Sequence, residues 1–162
     1  MASEKKSSPI LELIAAVLNI LGQVPESFLL LLCRLGVGSV FFKSGLTKID
    51  LETLSIAPST FDLFRDEYQV PLIPYHIAAY FGTANELLMP VLLVLGLFAR
   101  VGAGALLGMT VVIEVFVYPL NWAEHLTWAT LLLFILSRGA GTISIDHFLA
   151  GKFFERQSYY VR

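Results

Sequence analysis

Long apolar segments restrict the folds open to this chain more than any other feature of its sequence. Four segments approach the length of about 20 mostly apolar residues that a helix needs to cross a bilayer. Apolar residues make up 56% of the chain and charged residues only 15%, whereas an average soluble protein has about 25% charged residues. We therefore predict an all-α membrane protein in which four transmembrane helices form one bundle, at residues 27–49, 75–98, 101–120 and 122–137.

The two ends of the chain are amphipathic and shorter than a transmembrane helix. Near the N-terminus, Glu12, Asn19 and Gln23 share one helical face, and apolar side chains cover the other faces. After the fourth segment, the glycines of 139–141 interrupt the helix and Ser144 can cap a new one. We predict amphipathic interfacial helices at both ends, so that residues 1–26 and 144–162 flank a transmembrane domain at 27–143 with an outer loop at 50–74.

Lysine and arginine residues are divided unevenly between the two sides of the predicted spans. Three lie on the side of the outer loop, namely Lys43, Lys48 and Arg65. Seven lie on the opposite side, namely Lys5, Lys6, Arg100, Arg138, Lys152, Arg156 and Arg162. Because loops rich in lysine and arginine remain cytoplasmic, we predict that both termini are cytoplasmic and that the protein lies in a bacterial cytoplasmic membrane.

The composition and the motifs exclude several classes of function. A formal net charge of −2 offers no basic surface for nucleic acid. The single cysteine, Cys33, permits no intrachain disulfide, redox pair or cysteine metal cluster. The sequence has no dinucleotide fingerprint or phosphate-binding glycine motif, and its histidines lack a compact ligand spacing, so we predict no nucleotide and no metal. A redox role therefore requires another bound cofactor or a partner protein.

Several ionisable side chains fall inside the predicted spans, where charges are costly and need partners. Arg34 and Glu86 lie at depths that a long side chain can bridge. Lys43 and Glu114 both lie about 9 Å below the outer surface. We predict two ion pairs, Arg34–Glu86 and Lys43–Glu114. Either these pairs only fix the register of the helices, or Glu86 and Glu114 exchange protons, as partly buried carboxylates in functional sites do.

Aromatic and histidine side chains gather near the predicted outer surface, at the ends of three spans. The candidates are Tyr75, His76, Tyr118, Trp122, His125 and Trp128. They form either an aromatic belt at the membrane interface or the rim of a cavity, which two polar stripes along the second and third spans favour. An apolar cavity with aromatic walls and a few hydrogen-bonding groups would suit a quinone head group. We therefore take these residues as a candidate quinone site, with a histidine and a glutamate exchanging its protons.

Small residues and one carboxylate are assigned structural roles. Gly38 with Gly45, and Gly104 with Gly108, are spaced for close approach of neighbouring helices. Asp146 lies just after the glycine-rich turn, so we expect it to support the N-terminus of the last helix through the helix dipole.

Three sequence blocks resemble the DoxX family, and together they cover about residues 28–150. They are Arg34-Leu35-Gly36 through Phe42-Lys43-Ser44-Gly45-Leu46-Thr47-Lys48, Ala84-Asn85-Glu86-Leu87 followed by Leu95-Gly96-Leu97-Phe98-Ala99-Arg100, and Ser137-Arg138-Gly139-Ala140-Gly141-Thr142-Ile143-Ser144-Ile145-Asp146-His147. The resemblance implies a four-helix membrane protein of the DoxX/DoxD-like group. It also implies a link to quinone-dependent oxidation, because relatives include subunits of thiosulfate:quinone oxidoreduction.

These observations leave three functions open. The first is a membrane subunit that binds quinone and anchors or assists a soluble redox partner, without being an independent enzyme. The second is a non-enzymatic scaffold or assembly factor that docks through its amphipathic ends and its outer loop. The third is a small proton-linked transporter, which four spans without inverted repeats favour least. In each case we expect contact with membrane lipid and either a protein partner or a homo-oligomer.

Overall fold

A computed structural model of the protein describes residues 8–158, with side chains through residue 151. The helices are α1 (Pro9–Gly22), α2 (Glu26–Leu46), α3 (Pro58–Asp62), α4 (Tyr75–Leu95), α5 (Ala99–Val112), α6 (Trp122–Arg138) and α7 (Ile145–Ser158). The predicted cytoplasmic cations Lys5, Lys6 and Arg162 lie outside the described residues, as do the side chains of Lys152 and Arg156.

Four helices, α2, α4, α5 and α6, form a bundle in which each contacts two neighbours. Helix α2 packs against α4 and α6, and α5 packs against the other sides of the same two helices. The interior is filled by apolar side chains from all four helices, including Leu30, Val37, Phe41, Leu93, Leu106, Leu132 and Ile135. This core holds the bundle together along its length, since burial of apolar side chains is the main favourable term in packing within the protein.

The small residues of α2 allow its close approach to α4, as predicted. A Cβ atom on Gly45 would lie 2.8 Å from Leu87 Cδ2, and one on Gly38 would lie 3.0 Å from Val94 Cγ2. The second predicted pair behaves differently. Gly104 only touches Leu136, and no atom lies within 4 Å of a Cβ placed on Gly108. The prediction of close packing is therefore wrong for Gly108.

Three helices are long and apolar enough to cross a membrane, namely Glu26–Leu46, Tyr75–Leu95 and Ala99–Val117. This finding covers the described residues and matches three of the four predicted spans. The fourth bundle helix, α6, has 17 residues, which gives a length of about 25 Å against a hydrocarbon core of about 30 Å. Helix α6 is therefore shorter than a full span, and it carries Glu124 in its first turn and Arg138 in its last.

The segment between α2 and α4 folds over one end of the bundle. Strands β1 (Ile49–Asp50) and β2 (Ser55–Ile56) pair antiparallel. Helix α3 follows, with proline at its first turn as is common, and continues into a π-helical turn at Leu63–Tyr68. Phe64 buries its ring against Ala78 and Ala79 of α4, which holds the segment to the bundle.

The first helix, α1, makes no buried contacts within the described part of the chain. None of its residues is buried, and most of its apolar side chains are exposed on every face. Its 14 residues are too few to cross a bilayer. An interfacial position for α1 remains a prediction.

Candidate functional site

A cavity of about 500 Å³ lies at the end of the bundle covered by the segment 49–74. All four bundle helices contribute to its walls, and the π-helical turn Leu63–Tyr68 forms its cover. The walls are mainly apolar and aromatic, with rings from Phe41, Phe64, Tyr68, Phe81, Tyr118 and Trp128. A few polar side chains are placed among these rings, namely Ser44, Asn85, Glu86, Asn121, Glu124 and His125.

The structure brings together only part of the predicted quinone site. Tyr118, His125 and Trp128 line the cavity. Tyr75 and His76 do not: both are exposed, and their rings contact each other at 5.5 Å between centroids. Trp122 lines a separate groove on the surface of the bundle. Tyr75 and His76 belong to the first turn of α4, whereas the part of α4 that lines the cavity begins at Ala78. Both residues therefore lie outside the cavity.

Glu86 is paired with Lys48 and not with Arg34. Lys48 Nζ lies 2.6 Å from Glu86 Oε2 and also donates to Ser44 Oγ at 2.9 Å. Both partners of the ion pair are buried. The predicted Arg34–Glu86 pair is wrong because it was based on depth alone. The buried positions of α2 follow helical spacing through Phe41 and Gly45, and this face continues to Lys48.

Glu114 is paired with His125 and not with Lys43. His125 Nδ1 lies 2.5 Å from Glu114 Oε2, and the imidazole is buried. Lys43 is exposed on the far face of α2, so the predicted Lys43–Glu114 pair is also wrong. Glu114 belongs to the π-helical turn Ile113–Val117 that ends α5. Such turns add a residue to the helix and recur at functional sites, and this one places the carboxylate beside α6.

His125 separates the cavity from a smaller groove of about 260 Å³ on the outer surface of α5 and α6. The groove is lined by Glu114 and His125 and otherwise mostly by apolar side chains, including Val111, Val115, Trp122 and Leu126. Its apolar residues are exposed. The imidazole of His125 therefore has one face in the cavity and its Nδ1 atom directed to a carboxylate in the groove.

Two tyrosines join the cover to the bundle. The hydroxyl of Tyr118, just after α5, donates to the Glu67 carboxylate. The rings of Tyr68 and Tyr118 meet edge to face, with 5.9 Å between centroids. Burial raises the pKa of Tyr68 above its ordinary value, and the negative charge of Glu86 adds to this shift. The sequence did not predict a role at this site for Lys48, Asn85, Phe64 or Tyr68. For Lys48 alone, its helical spacing from Phe41 and Gly45 offered a signal that it lies on the buried face of α2.

At the opposite end of the bundle, Arg34 binds backbone carbonyls. Its guanidinium, which is fully buried, donates to Val94 O at 3.0 Å and to Ile143 O at 2.5 Å. A longer hydrogen bond reaches Leu93 O. Arg34 thus neutralises the carbonyl end of α4, where a helix dipole favours a cation. We call this group, together with Asp146, the clamp.

Asp146 completes the clamp at the N-terminus of the next helix. Its two carboxylate oxygens accept from Phe98 N at 2.8 Å and from Ala99 N at 3.0 Å. The predicted role in supporting the last helix needs correction: Asp146 lies in the first turn of α7, but its carboxylate caps α5. Ser144 Oγ accepts from His147 N at 3.2 Å and caps α7 as predicted.

Within the part of the chain that the structure describes, no three His, Cys, Asp or Glu side chains are grouped to hold a metal ion. The thiol of Cys33 is free and half-buried. Two paired groups at the cavity could take part in acid–base chemistry, His125 with Glu114 and Glu86 with Lys48.

Comparison with known proteins adds one finding. The DoxX family model matches residues 29–119, which is more than half of the chain. No significant match was found among curated proteins or among solved structures. The matched region runs from α2 to just beyond Tyr118 and contains most of the cavity wall, whereas His125 and Trp128 follow it.

Proposed function

The chain belongs to the DoxX family, and from that premise we propose that this integral membrane protein binds a quinone in its cavity. The ligand is a quinone or a similar isoprenoid, with its ring in the cavity and its tail in lipid. In this proposal the protein is a subunit that anchors or assists a redox partner and does not turn over a substrate alone.

The observation that carries the proposal is the pairing of an aromatic cavity with a buried histidine. Apolar walls with a few polar groups are typical of sites for small organic ligands. The volume of about 500 Å³ is sufficient for a substituted ring. His125 and Trp128 lie side by side in the wall, with 5.0 Å between ring centroids. Trp128 offers a surface for stacking, and His125 offers a hydrogen bond to a ring oxygen.

The two acidic residues have different roles in this proposal. Glu114 and His125 form a couple that can move protons between the cavity and the outer groove, since both are within hydrogen-bond distance. Glu86 is held by the ammonium of Lys48. A buried ion pair of this kind fixes the relative position of α2 and α4, so Glu86 is the weaker candidate for proton exchange.

We further propose that α6 completes a four-span bundle with both termini in the cytoplasm. Helix α6 packs along α5 and α2 like the three longer helices, and residues 139–143 extend its path. In a Cys33→Ser background, the exposed positions Thr53 and Ser137 are replaced one at a time, as Thr53→Cys and Ser137→Cys, and the two variants should react with a membrane-impermeant maleimide from opposite sides. Labelling of both positions from the same side would contradict the fourth span.

The test of quinone binding is extraction of the purified protein. The wild type and a His125→Ala/Trp128→Ala variant are purified in mild detergent, and co-purifying isoprenoid quinones are measured by mass spectrometry. We expect a near-stoichiometric quinone in the wild type and its loss in the variant. His76→Ala is the matched control, because His76 is exposed outside the cavity, and it should retain the quinone. Absence of quinone from the wild type would contradict the proposal.

One observation favours a second candidate, the non-enzymatic scaffold. The apolar side chains of α1 are exposed, among them Ile10, Leu13, Val17 and Leu21. Such a surface could bind a partner protein as well as the membrane interface. If the wild type carries no quinone and removal of residues 1–22 releases a co-purifying protein, the scaffold becomes the better description.

A further inference from the structure

The hydrogen bond between Glu114 and His125 decides which ring nitrogen carries a proton. An ionised carboxylate can only accept hydrogen bonds. Opposite an ionised Glu114 carboxylate, His125 Nδ1, which lies 2.5 Å from Glu114 Oε2, is the donor. A neutral imidazole has one donor and one acceptor nitrogen. With the proton held at Nδ1, the other nitrogen, Nε2, is an acceptor.

The acceptor nitrogen belongs to a ring that lines the cavity. The tilted contact with Trp128 fixes the ring from one side. Other polar groups in the wall are also acceptors, namely the carboxylates of Glu86 and Glu124. Asn85 can serve in either role, since its amide donates to Met109 Sδ at 3.3 Å, and a thioether is a weak acceptor.

This inference rests on the proposed function and specifies the form of its ligand. We infer that Glu114 holds His125 as a hydrogen-bond acceptor, so that the cavity selects the hydroquinone form over the quinone form. A hydroquinone hydroxyl can donate to Nε2. A quinone carbonyl has no proton to donate, so its oxygen would face the lone pair of Nε2 and leave that nitrogen unpaired, which is costly in a buried site. Glu114 acts as a positioning residue, through His125.

The test compares the affinities of the two redox forms of one ligand. The full-length protein in lipid nanodiscs is titrated with each redox form of the ligand at one fixed pH. The probes are a short-chain ubiquinone and its hydroquinone, and the signal is quenching of tryptophan fluorescence. We expect the wild type to bind the hydroquinone about tenfold more tightly, which corresponds to one good hydrogen bond to a buried acceptor.

The variant Glu114→Gln should reduce this preference to about twofold or less. A glutamine amide can donate as well as accept, so it can bond Nδ1 as a donor and leave the proton on Nε2. The quinone form should bind the variant at least as well as it binds the wild type, which simple loss of structure would not produce. Glu26→Gln is the matched control, because Glu26 lies at the opposite end of the bundle and pairs with Arg138. It should keep the wild-type preference.

His125→Phe provides a second variant, since it retains a ring against Trp128 and removes both nitrogens. It should bind the two forms with equal affinity. Equal binding of both forms by the wild type would overturn the inference and leave the proposed function standing. An undiminished preference in either folded variant would do the same. Failure of the wild type to bind either form would overturn the proposed function and the inference with it.

Discussion

Charged side chains at the two ends of the bundle are satisfied in different ways. In the clamp, Arg34 donates to the carbonyls of Val94 and Ile143, and Asp146 accepts from the backbone at the start of α5. At the cavity end, Lys48 pairs with Glu86, and His125 pairs with Glu114. Backbone groups cannot change their protonation state at ordinary pH, whereas paired side chains can.

The difference separates charges that hold the fold from a pair, Glu114 and His125, that the proposed function assigns to a ligand. A guanidinium that bridges three carbonyls is a fixed link between α2, α4 and the segment before α7. A histidine–carboxylate pair in a cavity wall leaves one ring nitrogen for another molecule. Family membership alone does not separate these cases, because Arg34, Glu86 and Glu114 all lie within the matched region.

The largest effect is expected at the clamp. Arg34→Met removes the donors to Leu93, Val94 and Ile143 and leaves their buried carbonyls without these partners. We expect a loss of about 3–5 kcal/mol in stability, measured as the free energy of unfolding in detergent. Arg34→Lys should recover only part of this loss, because an ammonium lacks the planar fork of a guanidinium. An Arg34→Met variant that is as stable as the wild type but no longer binds the ligand would contradict this difference between the clamp and the cavity end.

A smaller effect is expected at the buried ion pair. Lys48→Met leaves the Glu86 carboxylate buried without its ammonium partner, so we expect a loss of about 3 kcal/mol. The double variant Lys48→Met/Glu86→Leu should recover most of it, since no unpaired charge remains. Unfolding in detergent of both single variants and the double variant gives the coupling energy. Equal instability of the single and double variants would show that the two side chains do not act as a pair.

The smallest effect concerns pH and the cover of the cavity. Because the pKa of Tyr68 is raised in the folded state, its neutral form stabilises the fold fully below the ordinary tyrosine value of about 10. That contribution is lost as the pH rises through the higher folded value. Between about pH 9 and 11, the thermal midpoint of the wild type should therefore fall more steeply than that of Tyr68→Phe.

The control for this comparison is Tyr80→Phe. Tyr80 is exposed on α4 and contacts Phe61, so its loss should leave the slope of the wild type unchanged. Identical slopes in the wild type and in Tyr68→Phe would show that ionisation of Tyr68 does not loosen the cover.

Periodicity and length were enough to predict the bundle helices. They were not enough to pair the charges. Depth along a helix follows from counting residues, but the direction in which a side chain points depends on the helical phase. Lys48 shares the buried face of Arg34, whereas Lys43 lies on the exposed face. Helical spacing through Phe41 and Gly45 carried that information.

Two features lay beyond sequence reasoning. The π-helical turn at Ile113–Val117 shifts the phase of α5. The polar stripe predicted along the third span, which includes Thr110 and Glu114, assumes ordinary α-helical spacing instead. Asp146 lies at the start of α7 but caps α5, a contact made across 48 positions of the chain. Both depend on tertiary packing. The cavity itself was predicted in outline, from aromatic residues near the ends of the spans.

The partners in the clamp are synthesised at different times. Arg34 enters the growing chain 59 positions before Leu93 and 109 positions before Ile143. Until the ribosome has added the segment before α7, the Arg34 guanidinium lacks its shortest hydrogen bond, which is the one to Ile143 O. A chain that stops before Ile143 therefore lacks one of the carbonyl partners of this buried cation. The bonding of Arg34 thus depends on a residue that follows it by 109 positions.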